Sequence, residues 1–144
     1  MTSVAFSPFG GLLAAASIDH DIRVWNVATG KLVHHYQSPN TAVHDAEFSP
    51  DGRWLVSAAN KAALWDLGTD SVPILRLRGH QGTTTAATFD RTGRLIVTGG
   101  VDGTVRTFSC DICGGIGHLL ALAEQRLAAT RRALTDDERK QYLG

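Results

Sequence analysis

One short pattern recurs three times along this chain, and the recurrence limits the fold more than any other feature. Phe6-Ser7-Pro8-Phe9-Gly10-Gly11, Phe48-Ser49-Pro50-Asp51-Gly52-Arg53 and Phe89-Asp90-Arg91-Thr92-Gly93-Arg94 are versions of one turn, their phenylalanines 42 and then 41 positions apart. A period near 40 residues belongs to architectures that stack one supersecondary unit. After each turn comes a short apolar run, at 12–16, 54–59 and 95–99. A second run ending in an aromatic follows: Ile22-Arg23-Val24-Trp25-Asn26, Ala62-Ala63-Leu64-Trp65-Asp66 and Thr104-Val105-Arg106-Thr107-Phe108-Ser109. Three features in the same order, three times over, make the repeat specific.

Each unit has the pattern of a small antiparallel sheet. Before the turn, Thr2, Val4 and Phe6 alternate onto one face, as do His44, Ala46 and Phe48, then Thr85, Ala87 and Phe89. A Pro-Asp-Gly turn presets φ at Pro and frees it at Gly, which suits a tight reversal between strands. Residues 31–36 and 74–78 add an outer strand to the first two units, giving four strands per repeat. Gly, Pro, Thr and β-branched residues interrupt residues 1–109 too often for helix.

These units resemble the tryptophan-aspartate (WD) repeats of β-propellers, with Leu64-Trp65-Asp66 and Gly79-His80 the most diagnostic fragments. The resemblance implies an all-β fold, a partial β-propeller of about three four-stranded antiparallel blades. The last blade lacks its outer strand, and a short C-terminal helical tail follows. The divisions are 1–37, 38–78 and an incomplete blade over 79–110, then the tail over 111–144. The family also implies a hydrogen-bonded set of His, Ser or Thr, Asp and Trp in each blade. The third repeat offers His80, Thr98 and Asp102, with Phe108 in place of the indole donor. The second has Ser57 and Trp65, but Pro39 stands where the His belongs and the strand-joining turn is two residues short. The first has Asp19 and Trp25, with Ala15 at the hydroxyl position.

Three blades do not close a ring, which takes four to eight. The chain opens at an inner strand and Met1 stands where Val fits the pattern, as in a fragment of a longer reading frame begun at an alternative start codon. Eleven Arg against three Lys point to a GC-rich, bacterial genome. An open wedge leaves two apolar faces and a strand edge uncovered, so the expectation is self-association, as two wedges completing a six-bladed ring, or else marginal stability.

From Leu119 the period changes to helical, with Leu119, Leu122, Ala123 and Leu127 on one stripe, and Thr135-Asp136-Asp137-Glu138 has the form of a capping box. The tail resembles the C-terminal signature of actinobacterial multidomain WD-repeat regulatory proteins, which implies a sensing or scaffolding role in bacterial signalling. No Gly-Lys-Ser/Thr phosphate loop is present. Cys110 and Cys113 have the spacing of half a zinc site, and His118 is the one nearby candidate for a third ligand, short of the four that structural zinc takes. Two small half-buried thiols capping the last blade are the simpler reading.

Fourteen basic residues balance fourteen acidic ones, so no net field favours nucleic acid or an anionic membrane. There is no Gly-x-Ser-x-Gly elbow and no His-Glu-x-x-His, and neither catalysis nor a cofactor is expected. The expected function is a non-catalytic, cytoplasmic protein-interaction or scaffold module, the C-terminal part of a larger WD propeller protein. By carry-over from the family, its contacts come from the loops of one rim: His20, Pro39, Asn40, Asn60, Lys61, Gln81 and Val101. The alternatives are a metal- or redox-responsive element at Cys110 and Cys113, or a truncated remnant without independent function. The outer-strand pair His34-His35 and His44 are expected to be solvated, and His20 to be a turn residue.

Overall fold

The three repeated turns close in the same way. Gly10, Gly52 and Gly93 sit at φ 71°, 71° and 69°, the left-handed region that a Cβ disfavours. Before each glycine a short polar side chain caps the reversal. Ser7 Oγ accepts from Leu12 N at 3.0 Å, Ser49 Oγ from Trp54 N at 2.9 Å, and Asp90 Oδ1 from Leu95 N at 2.9 Å. The same turn sets the same register, pairing Phe6 with Leu13, Phe48 with Leu55 and Phe89 with Ile96.

These turns organise three antiparallel sheets in a computed structural model, which describes residues 1–69, 72–113 and 125. The first sheet holds β1 (Ser3–Phe6), β2 (Leu12–Ala16), β3 (Asp21–Asn26) and β4 (Leu32–Gln37) in that order. The second holds β5 (Asp45–Phe48), β6 (Trp54–Ala58), β7 (Ala62–Asp66) and β8 (Leu75–Leu77). The third holds β9 (Thr84–Phe89), β10 (Leu95–Gly100) and β11 (Val105–Ser109), and among the described residues it has no outer strand. The outer strand of the second sheet is only three residues long, because Pro73 lacks the N–H a longer ladder needs. The sheets lie within one compact unit, Met1–Cys113. Of the expected helical tail, Asp111, Ile112 and Cys113 form a turn and Gln125 is helical and exposed; the rest, with His118 and the 119–127 stripe, lies outside the described residues. No helix among the described residues is long and apolar enough to cross a membrane.

The core lies between sheets. Ala14, Ala16, Ile22, Val24 and Tyr36 of the first sheet meet Ala46, Phe48, Leu55, Ala63 and Trp65 of the second. Trp54, Val56, Ala58, Ala62 and Leu64 of the second meet Ala87 and Ile96 of the third, with Cys110 and Cys113 in the same cluster. The middle sheet is therefore covered on both faces, and every residue of β6 and β7 is buried. Each fully buried leucine there, Leu55 or Leu64, contributes roughly 1.5–3 kcal/mol.

Side chains also tie the inner strands together. Ser3 Oγ accepts from Ala46 N at 3.1 Å, and Asp45 Oδ2 accepts from Ala87 N at 3.3 Å. Ser3 and Asp45 stand at the same position of successive repeats. Thr2 Oγ1 donates to Val43 O at 2.6 Å, and the Tyr36 hydroxyl donates to Asp66 O at 3.4 Å beneath the outer strands.

Candidate functional site

Antiparallel order places the β2–β3, β6–β7 and β10–β11 turns, with the β4–β5 and β8–β9 connections, at one end of the sheets. In the third sheet this end is closed by hydrogen bonds. His80 Nδ1 lies 3.0 Å from Asp102 Oδ1, and its Nε2 lies 2.8 Å from Thr98 Oγ1. Asp102 also accepts from Gln81 N at 2.8 Å, from Thr104 N at 3.1 Å and from the Thr104 hydroxyl at 2.8 Å. These donors, the Gln81 amide first, hold the Asp102 carboxyl well below the usual carboxylate range against the opposing effect of burial. Gly100 leaves room for the set, since a Cβ there would lie 2.5 Å from His80 Nδ1. His80, Thr98 and Asp102 thus meet in space; Phe108 packs against the adjoining core without joining the set.

The second sheet keeps half of this arrangement. Trp65 Nε1 donates to Ser57 Oγ at 2.9 Å, fully buried. In the first sheet the two singled-out residues do not meet: Asp19 turns outward to Arg23 at 3.1 Å, while Trp25 is half-buried in β3. Hydrogen bonds from Ser17 and Arg23 keep the Asp19 carboxyl below its ordinary range.

The seven rim residues fall into separate groups. His20 and Asn40, both at positive φ (76° and 60°), flank a cleft with Pro39, joined by Ser38 N donating to His20 O at 2.8 Å. Pro39, Asn60 and Lys61 line a second cleft. Gln81 and Val101 stand apart on the third sheet, where Gln81 N serves Asp102 and Val101 N donates to Thr83 O at 2.9 Å. His20 is a turn residue, as its position between two aspartates suggests. Of the outer-strand histidines, His35 is exposed as expected and His34 is half-buried. His35 Nε2 lies 3.1 Å from Asp21 Oδ2, and half-buried His34 stacks on Tyr36 with ring centroids 5.8 Å apart.

The end faces, too, carry information. Ala46 and Phe48, and likewise Ala87 and Phe89, turn toward the preceding sheet; the equivalent pair on the first sheet is Val4 and Phe6. Ala46 and Phe48 are 1% and 5% exposed, whereas Val4 and Phe6 are 65% exposed each. Leu13 and Trp25, paired as Leu55 and Trp65 are, stand half-buried beside them. At the other end, the face of the third sheet carries Leu95 and Val105, 39% and 74% exposed.

Cys110 and Cys113 are joined as a disulfide, with Cα atoms 5.2 Å apart and both residues buried. Among the described residues no cluster of His, Cys, Asp or Glu is arranged to hold a metal ion. The expected pair of thiols is thus a disulfide at the end of β11, and His118 lies outside the described residues.

Comparison with known proteins places the repeats. The family model for the WD domain, G-beta repeat, matches residues 1–26, 30–66 and 71–109. The chain is similar to eukaryotic translation initiation factor 3 subunit I of Phaeosphaeria nodorum, 30% identical over 132 residues, which cover 83% of this chain and 38% of that protein. It is similar to target of rapamycin complex subunit wat1 of Schizosaccharomyces pombe, 32% identical over 99 residues, 67% of this chain and 32% of that one. Transcription initiation factor TFIID subunit 5 of Caenorhabditis elegans is 27% identical over 123 residues, 84% of this chain and 19% of that one. The chain spans less than two fifths of the length of each of these relatives, all eukaryotic, and none of the three supports the resemblance to actinobacterial regulatory proteins. With three matched repeats, each corresponding to one antiparallel sheet, the chain belongs to the WD domain, G-beta repeat, family.

Proposed function

We propose that this chain acts as a non-catalytic protein-interaction scaffold, its rim facing partners and its two end faces completed by the blades of a second copy. The observation that carries this reading is the exposure of Val4 and Phe6, with Trp25 half-buried beside them, at positions whose repeats are buried between blades. A blade array gains stability from such interfaces, so an uncovered leading face opposite an uncovered trailing face favours head-to-tail association. Propellers close with four to eight blades, and six is the multiple of three in that range, which sets two copies per ring. The names of the relatives agree with an assembly role, since each is a subunit. A bacterial signalling setting finds no support among those relatives. A redox-responsive role at Cys110 and Cys113 is the second reading, favoured by their bond; their burial argues for a structural staple, because a shielded sulfur exchanges poorly.

Co-retention of differently tagged copies tests the proposal. An immobilised tagged chain is expected to retain an untagged one, with Phe6→Asp or Val105→Asp reducing retention at least tenfold. Retention that is absent in the wild type, or unaffected by both changes, would rule the end-face reading out.

A further inference from the structure

The second blade departs from the third at one place, and the departure opens a cleft. Where the third blade has His80 bridging Thr98 and Asp102, the second has Pro39, and its β6–β7 turn is shortened to Ala59, Asn60 and Lys61. The space between the β4–β5 connection and this turn is a cavity of about 370 Å³ with Trp65 among its lining residues. Proline offers no donor and no bulk to bridge it.

Cations line this cleft. Lys61 stands on β7's approach, and Arg76 and Arg78 come from β8 and the residue after it. In the β7–β8 register, Ala63 pairs with Arg76 and Ala62 with Leu77, so one step further sets Lys61 opposite Arg78. Like charges directly across two strands repel. Among the described residues no carboxylate lines the cleft, and no ion pair neutralises Lys61, Arg76 or Arg78. Asn60 and Thr41 add an amide and a hydroxyl to the same walls. The chain as a whole is neutral, so this concentration of positive charge is local.

We infer that this cleft is an anion-binding site on the rim, and that it takes a phosphate monoester carried on a partner peptide. The inference rests on the interaction-module reading and adds the chemistry of its partner. Two guanidinium groups and an ammonium, backed by neutral donors, suit a dianion with three acceptor oxygens better than a single carboxylate. A bound phosphate also relieves the repulsion between Lys61 and Arg78.

The test uses the full chain and fluorescein-labelled hexaglutamate, the same peptide with a central phosphoserine, and inorganic phosphate as competitor, read by anisotropy at two salt concentrations. The phosphopeptide is expected to bind at least tenfold more tightly than hexaglutamate, to weaken with salt and to be displaced by phosphate. Lys61→Glu and Arg78→Glu should each lower that affinity at least tenfold while leaving β-sheet circular dichroism unchanged. Equal binding of the two peptides, or phosphopeptide binding that survives both folded variants, would overturn the inference, as would tighter binding of a single-stranded oligonucleotide. Phe6→Asp separates the two proposals: it breaks copy-to-copy retention and leaves the cleft intact, so loss of one behaviour without the other identifies which reading fails.

Discussion

Asp102 shows at the scale of one residue how the third blade depends on charge. Its carboxylate accepts from the Gln81 amide, the Thr104 amide and hydroxyl, and faces His80, so the ionised form is favoured in the folded chain over the unfolded one. A carboxyl depressed on folding stabilises fully above its unfolded value, near 3.9, and that stabilisation fades as pH falls toward the folded value. The melting temperature is therefore expected to drop between pH 6 and pH 3, and Asp102→Asn should be less stable at pH 6 with a smaller drop over the same range. An equal drop in both proteins, followed by circular dichroism, would contradict this assignment. Asp19 and Asp90, also depressed, contribute in both proteins alike. The partners His80, Thr98 and Asp102 were legible in the sequence because they occupy motif positions whose side chains have few other uses inside a blade. Asp19 and Trp25 were legible as residues but not as a pair: with Ala15 offering no hydroxyl, nothing links them, and Arg23 draws Asp19 outward.

At the scale of elements, strand order followed from the repeat, since one turn chemistry used three times imposes one register three times. Strand ends were less legible. Pro73 shortens β8 to three residues, and pattern alone does not show where a ladder runs out of donors. The links between blades were hidden for a different reason. Ser3 and Asp45 look like ordinary strand residues, and only the fold shows that their side chains reach the backbone of the next inner strand. The one available signal was their shared position in the repeat. Removing the Asp45 link is expected to loosen β9 against β5 without unfolding either sheet. Asp45→Ala should cost about 1 kcal/mol and speed amide exchange at Ala87 while β6 stays protected. Unchanged exchange at Ala87 would show that the link carries no load.

At the scale of the whole molecule, the three described blades meet at two interfaces, and apolar side chains of the first and third sheets stand exposed. The three sheets were legible from the repeat count, because each unit of the sequence forms one sheet. The composition of their faces was only partly so. Val4 and Phe6 read as one strand face in the sequence, and that face is exposed where Ala46 and Phe48 of the next repeat are buried. The cationic cleft was not legible, although Pro39, Asn60 and Lys61 were singled out for the rim. Arg76 and Arg78 join them only through the β7–β8 register, which no motif records. The cleft arises where the second blade departs from the third, by an incomplete hydrogen-bonded set.

The central claim, that the open faces pair between copies, is tested most directly by molar mass from light scattering after size exclusion, across a range of concentrations. The account predicts a discrete species of twice the chain mass that dissociates on dilution and reverts to the chain mass with Phe6→Asp. A wild-type chain that stays folded at the mass of one copy at every concentration would contradict it.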